Sequence, residues 1–362
     1  TMNGKERMLT ALSLGIPDRV PHWELAYNES SIINIARHFT SDVPEIDYIQ
    51  RMDLDSKIKL FDVAVRVIEE IDVDGITMRV FSESEFFNDT DYKDNQGVVY
   101  RVDPVGESVV IGGPISQESD LETFKLPKIK ETDLLALSYC VEKLGKNRAI
   151  VLSLQCPFRR SWNLVGGMTN LLLHYMDHPQ FVHKIARMVT DSTLEAIDMG
   201  LELGADIISL DGDLAFNTNT IMSPEQFREY IKPYYIEIVN YVHNKGHKIF
   251  KHTDGNHSLI TEDLVEIGFD GLHPIQPQCL DIGHMKKEIG QRICLMGNID
   301  CMKTLVSKSL AEVEEEVKQT IEIAAPGGGY ILASSNTIHP GVKAENYIAM
   351  VKAAHKYGVY NS

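Results

Sequence analysis

What most constrains this chain is an alternation. Short β-rich runs recur at 20–27, 75–81, 149–157, 206–213, 248–255, 271–277, 293–300 and 330–337, with amphipathic helical patterns such as 60–71, 170–204, 224–245, 258–267 and 310–325 between them. Regular alternation of this kind argues for parallel strands, and eight such units are the count of a (β/α)8 TIM barrel. A doubly wound open sheet shares the pattern but normally carries a glycine-rich phosphate turn after an early strand. No G-x-G-x-x-G or P-loop follows any of these runs. Gly327-Gly328-Gly329 precedes the eighth run, on the face away from a barrel's active site, and reads as a tight turn.

The first half is less regular. Helical patterns at 5–14 and 30–38 flank the first run and are expected to cover the barrel's floor. Residues 92–113 alternate around Asp103-Pro104-Val105-Gly106, which predicts a β-hairpin inserted after the second strand. Ser223-Pro224-Glu225-Gln226 is the sharpest helix start, and Gly246, Gly268 and Gly290 are the expected stops of three later helices. Without a Ser/Gly-rich linker, charge block or low-complexity segment, residues 1–362 are expected to form one domain.

Charge narrows the partners. Lys and Arg number 35 against 52 Asp and Glu, a formal net charge of −17. Such a field repels nucleic acid and anionic membrane surfaces, and disfavours polyanionic substrates unless arginines cluster locally. Cys140, Cys156, Cys279, Cys294 and Cys301 form no C-x-x-C pair, and no apolar run approaches the ~20 residues of a membrane span. The opening residues lead into an amphipathic stretch rather than a signal segment, so a cytoplasmic protein is expected. A homo-oligomer is compatible with this composition.

A barrel's active site lies at the C-terminal ends of its strands, so the polar residues there are the candidates. They are Glu24 and Asn28; Arg79 and Glu83; Gln155, with Arg159 and Arg160 beyond; Asp211 and Asp213; His252 and Asp254; His273 and Gln276; Asn298 and Asp300; and Ser334, Ser335 and Asn336, followed by His339. Period-two geometry turns Asp211 with Asp213, and His252 with Asp254, to common faces. Plainer roles compete: Asp before Gly forms turns, and Asn28, Asp300 and His339 equally suit loop caps. Arg159-Arg160 suits a solvated loop as well as a carboxylate or phosphate clamp. His252-Thr253-Asp254 is the strongest signal, because it aims an imidazole and a carboxylate at one point, as metal ligands or as an acid/base pair. Zinc accepts both ligand types, but no thiolate is in place: Cys156 precedes Pro157 and reads as a turn. Serine-nucleophile chemistry lacks its G-x-S-x-G elbow.

At these residues the chain resembles the uroporphyrinogen decarboxylase superfamily, which includes the decarboxylase and cobalamin-dependent or corrinoid-protein methyltransferases. The markers run nearly the whole length: Glu6-Arg7-Met8-Leu9-Thr10-Ala11-Leu12 with Pro17-Asp18-Arg19-Val20-Pro21, Ser223-Pro224-Glu225-Gln226-Phe227 with Pro233-Tyr234, and His252-Thr253-Asp254-Gly255-Asn256. His273-Pro274-Ile275-Gln276-Pro277, Gly297-Asn298-Ile299-Asp300, Ala325-Pro326-Gly327-Gly328-Gly329-Tyr330 and Glu345-Asn346 complete them. The resemblance implies a (β/α)8 barrel. It also implies departures from two of its branches. Where the decarboxylase carries R-Q-A-G-R to grip an octa-acid, this chain reads His22-Trp23-Glu24-Leu25-Ala26-Tyr27-Asn28, and its catalytic Asp has no counterpart in Thr77-Met78-Arg79-Val80-Phe81. The thiol-activating methyltransferases carry H-x-C and a further Cys where this chain has His252, Asp254 and Asn336.

What remains resembles the branch that takes methyl groups from methoxylated or methylamine-type donors and passes them to a separate corrinoid protein. On that reading His252 and Asp254, with Glu24 and Asp211, are the expected catalytic set. Asn28, Arg79, Gln155, Arg159, Asp213, His273, Gln276, Asn298, Asn336 and His339 are expected to bind the small-molecule substrate, and His252 with Asp254 would hold zinc if zinc is used. Uroporphyrinogen decarboxylation is the alternative, and a binding protein on the same scaffold a second.

Overall fold

Seven of the eight runs form one parallel sheet in the structure, a computed structural model that describes residues 1–104 and 107–360. Its strands are β1 (Gly75–Arg79), β6 (Ala149–Gln155), β7 (Ile207–Asp211), β8 (Lys248–His252), β9 (Gly271–His273), β10 (Cys294–Met296) and β11 (Tyr330–Ile331), hydrogen-bonded in that order. The first six residues of β6, Ala-Ile-Val-Leu-Ser-Leu, are all buried, as a strand covered on both faces requires.

The first run is not a regular strand, yet it bonds to both edges of this sheet. The Trp23 N–H donates to Leu332 O at 3.1 Å, and on the other side the Asp74 N–H donates to His22 O at 2.9 Å. His22 and Tyr27 make isolated parallel bridges to Leu332 and Ile338. Two groups interrupt the ladder: Pro21 has no N–H, and the Ser334 N–H is taken by the Glu24 carboxyl at 3.0 Å instead of by a carbonyl.

Trp23, Val151, Ile207, Phe250, Met296 and Ile331 pack together inside the curved sheet, with Met8, Ala11 and Leu12 of the helix Gly4–Leu12 beneath them. That helix is anchored by Arg7, whose guanidinium reaches Asp74 at 3.0 Å, while Arg19 reaches the same carboxylate at 2.7 Å. Gly328 sits against Gly15 at this lower end, its φ of 77° supplying a turn that a side chain would block.

The insertion is larger than a hairpin. Strands β2 (Ser84–Phe86), β3 (Asp91–Asp94), β4 (Val99–Val102) and β5 (Ser108–Gly112) form an antiparallel sheet of four. β2 has only three residues, too few to show alternation, and is joined to β3 by a turn in which Asn88 Oδ1 accepts the N–H groups of Thr90 and Asp91. The turn expected at Asp103-Pro104-Val105-Gly106 has its last two residues outside the described residues.

Prolines divide two of the expected helices. The 170–204 pattern is two helices, Met168–Asp177 and Pro179–Glu202, and 224–245 is Pro224–Tyr230 and Lys232–Asn244. Gly246 and Gly268 take positive φ after their helices, but Gly290 stays right-handed at −62°. Among the described residues no helix is long and apolar enough to cross a membrane.

Candidate active site

The C-terminal strand ends open into a cavity of about 720 Å³. Strand register builds its wall, since Gln155, Asp211 and His252 are successive partners across β6, β7 and β8, and the same register sets His273 of β9 beside His252. Asn28, Arg79, Gln155, Arg159, Asp211, Asp213, His252, Asp254 and Asn336 line the cavity. Five expected site residues do not. Glu24 points away because period-two geometry turns Trp23 to the interior. His273 is fully buried behind His252. Gln276 is spent on loop bonds, accepting from the Gly255 N–H at 2.8 Å and donating to Asn217 at 3.1 Å. Asn298 donates to Ile275 O, and the His339 Nε2 lies 2.8 Å from Cys301 O, so both brace backbone instead.

One corner concentrates the chemistry. His252 Nε2 lies 3.9 Å from an oxygen of Asp213 and 3.9 Å from Asp254 Oδ1. The hydrogen-bond chain behind it sets the tautomer. Ser334 O can only accept, so His273 Nε2 carries the proton at 3.3 Å, and burial holds the His273 imidazole neutral, far below its usual pKa. Its Nδ1 therefore accepts from His252 Nδ1 at 2.9 Å, which leaves the His252 Nε2 lone pair facing the two carboxylates. Asn336 donates to Asp254 Oδ2 at 2.6 Å, but the buried Asp254 Oδ1 has no hydrogen-bond partner. Burial first, with Asp213 adding to it, pushes the Asp254 carboxyl up to about 6, against the opposing pull of His252 and Lys251.

Asp213, His252 and Asp254 each offer one ligand atom, all within 4.8 Å of one another. A lone pair and an unpartnered buried oxygen aimed at one point fit a shared cation or proton. A nitrogen and two carboxylate oxygens suit zinc or another first-row divalent ion.

Three supporting residues escaped the sequence. Ser153 and Ser209 both donate to the Asp211 carboxylate and hold it rigid. Lys251 is fully buried, and its ammonium donates to Gly212 O at 2.6 Å, Leu210 O at 3.1 Å and His252 O. It ties the turn carrying Asp213 to the end of β8. A lysine inside the run Lys248-Ile249-Phe250-Lys251-His252 was the available signal, because an outward position on such a strand lies under helices.

Glu24 belongs to a buried polar cluster outside the sheet. Ser334 Oγ donates to it at 2.6 Å, and Tyr347 links His22 Nε2 at 3.1 Å to Tyr27 at 2.6 Å. Burial pushes Glu24 up to about 8 and His22 down to about 3, so both are uncharged at neutral pH and their 3.7 Å approach is not an ion pair. Folded Glu24 keeps a proton that the unfolded chain has released, so its stabilising contribution is full below pH 4.5 and is lost as pH rises toward 8. Glu24→Gln is expected to remove this slope. Between pH 5.5 and 7.5 the wild type should lose roughly 2–3 kcal/mol more than the variant in denaturant unfolding; parallel curves would contradict a neutral Glu24.

Comparison with known proteins agrees with this architecture. The uroporphyrinogen decarboxylase (URO-D) family model matches residues 97–357. The chain belongs to that family. It is 24% identical over 237 residues to the methylcobamide:CoM methyltransferase MtaA of Methanosarcina barkeri, covering 66% of each chain. To the uroporphyrinogen decarboxylase of Aliarcobacter butzleri it is 26% identical over 268 residues, covering 69% of this chain and 73% of that one. A solved methyltransferase from Methanosarcina mazei superposes with a TM-score of 0.76 at 19% identity, over 99% of both chains, and shares the fold.

Proposed function

We propose that this chain transfers a methyl group from a small methoxylated or methylamine-type donor to a corrinoid carried by a separate protein. The observation that carries the reading is the corner where His252 Nε2, Asp213 and Asp254 converge on the cavity wall. Breaking a methyl–oxygen or methyl–nitrogen bond requires stabilisation of the leaving heteroatom. His252, held through Nδ1 by His273, presents Nε2 to that atom and donates a proton when protonated, while Asp213 and Asp254 stabilise the imidazolium. A divalent ion held by the same three residues would supply Lewis-acid polarisation of the heteroatom. Asn28, Gln155 and Asn336 orient the donor; Asn28 Oδ1 is buried without a partner.

Both methyltransferases and decarboxylases are among the relatives, and the lining favours the former. Of the cavity's three arginines, Arg160 is committed to Val189 O, Thr193, Ser192 and Gln96, which leaves two guanidiniums for an octa-acid facing Asp211, Asp213 and Asp254. Among the described residues no cysteine lines the cavity, which speaks against thiol activation. The test is to incubate the protein with cobalamin reduced to Co(I) and, one at a time, methoxyarenes and methylamines, following methylated cobalamin by absorbance. Protein-dependent transfer from one donor class is expected. Transfer from none would sink the proposal.

A further inference from the structure

We propose that the methyl donor is an aromatic acid, held by its carboxylate between Arg79 and Arg159; the methyl part of this statement rests on the function proposed above. Arg79 ends β1 and shares the inward face of Gly75 and Thr77, so it reaches into the cavity. Among the described residues its guanidinium has no hydrogen-bond or ion-pair partner. Arg159 follows β6, lies with its guanidinium 4.4 Å from the Trp162 ring, and likewise has no side-chain hydrogen bond or salt bridge. The neighbouring Arg160 shows the contrast, since four protein groups satisfy it. Burial lowers the pKa of Arg159, so its charge is held there at a cost that a bound anion relieves. Two unpaired guanidiniums thus face one cavity, and their planar forks suit a carboxylate.

Geometry sets the rest of the donor. β1 and β8 are separated by β6 and β7, three strand spacings of about 4.8 Å around a curved sheet, so Arg79 stands across the cavity from His252. Tyr48, Phe61, Phe81 and Tyr100 line the same cavity, an apolar lining suited to an aromatic body.

Calorimetry with 4-methoxybenzoate and its neutral analogue 4-methoxybenzamide tests this without any methyl transfer. The acid should bind at least about tenfold more tightly than the amide, the gain expected of charge-assisted hydrogen bonds. Arg79→Gln and Arg159→Gln should each weaken the acid by about tenfold and leave the amide unchanged, with Arg→Lys variants restoring part of the loss. Circular dichroism should show both glutamine variants folded, since neither guanidinium supports the fold through a hydrogen bond. Equal binding of acid and amide, wild-type affinity for the acid in both glutamine variants, or no binding of either compound would overturn the inference. Arginine-dependent binding of the acid with no transfer to reduced cobalamin would keep the anion site and remove the methyl-transfer reading. Transfer from neutral donors alone, indifferent to both arginines, would do the reverse.

Discussion

His252→Ala is expected to lower methyl transfer by about 10²–10⁴-fold in single turnover, the range of a lost general acid, with the fold intact. The side chain is at the cavity wall rather than in the apolar interior, and its structural hydrogen bond is to His273. Removing it leaves His273 Nδ1 to water entering the enlarged cavity, a cost of about 1 kcal/mol. The rate should therefore collapse while far-UV circular dichroism and the unfolding midpoint barely move. If the residue instead holds a divalent ion, the same variant also loses the metal, which elemental analysis of protein purified without added metal reads directly. Activity within a few-fold of wild type would remove His252 from the mechanism.

Lys251→Met carries the largest expected effect on stability, roughly 2–4 kcal/mol. One ammonium serves the carbonyls of Leu210, Gly212 and His252, and methionine leaves all three without that donor in a place water does not reach. Two terms oppose the loss: the variant no longer buries a charge, and its side chain packs well. The loss of three hydrogen bonds from one ammonium outweighs them. The turn bearing Asp213 should also loosen, so activity is expected to fall further than the midpoint in urea would suggest. An equally or more stable variant would show that the buried charge costs more than its hydrogen bonds return.

The sequence made the barrel pattern legible because each βα unit repeats the same change of hydrophobic period, and seven runs became strands of one sheet. His252 and Asp254 could be paired because two residues on one extended segment share a face. Glu24 was misplaced for the converse reason: a strand end says which residues are near the rim, but only the parity of Trp23 against the interior says which face them. The His252 to His273 contact depends on the register of β8 against β9, which local patterning does not encode. Lys251 depends on carbonyls from a different strand. The small sheet grew from two strands to four because β2 is too short for any periodicity to show.

The corner of Asp213, His252 and Asp254 is expected to work on a methyl donor rather than on a porphyrinogen. One preparation should be given, in parallel, uroporphyrinogen and a methoxylated aromatic acid with Co(I) cobalamin, and both products measured. Methylated cobalamin, lost in His252→Ala, is expected, with no coproporphyrinogen. Coproporphyrinogen formed without methyl transfer would contradict that expectation.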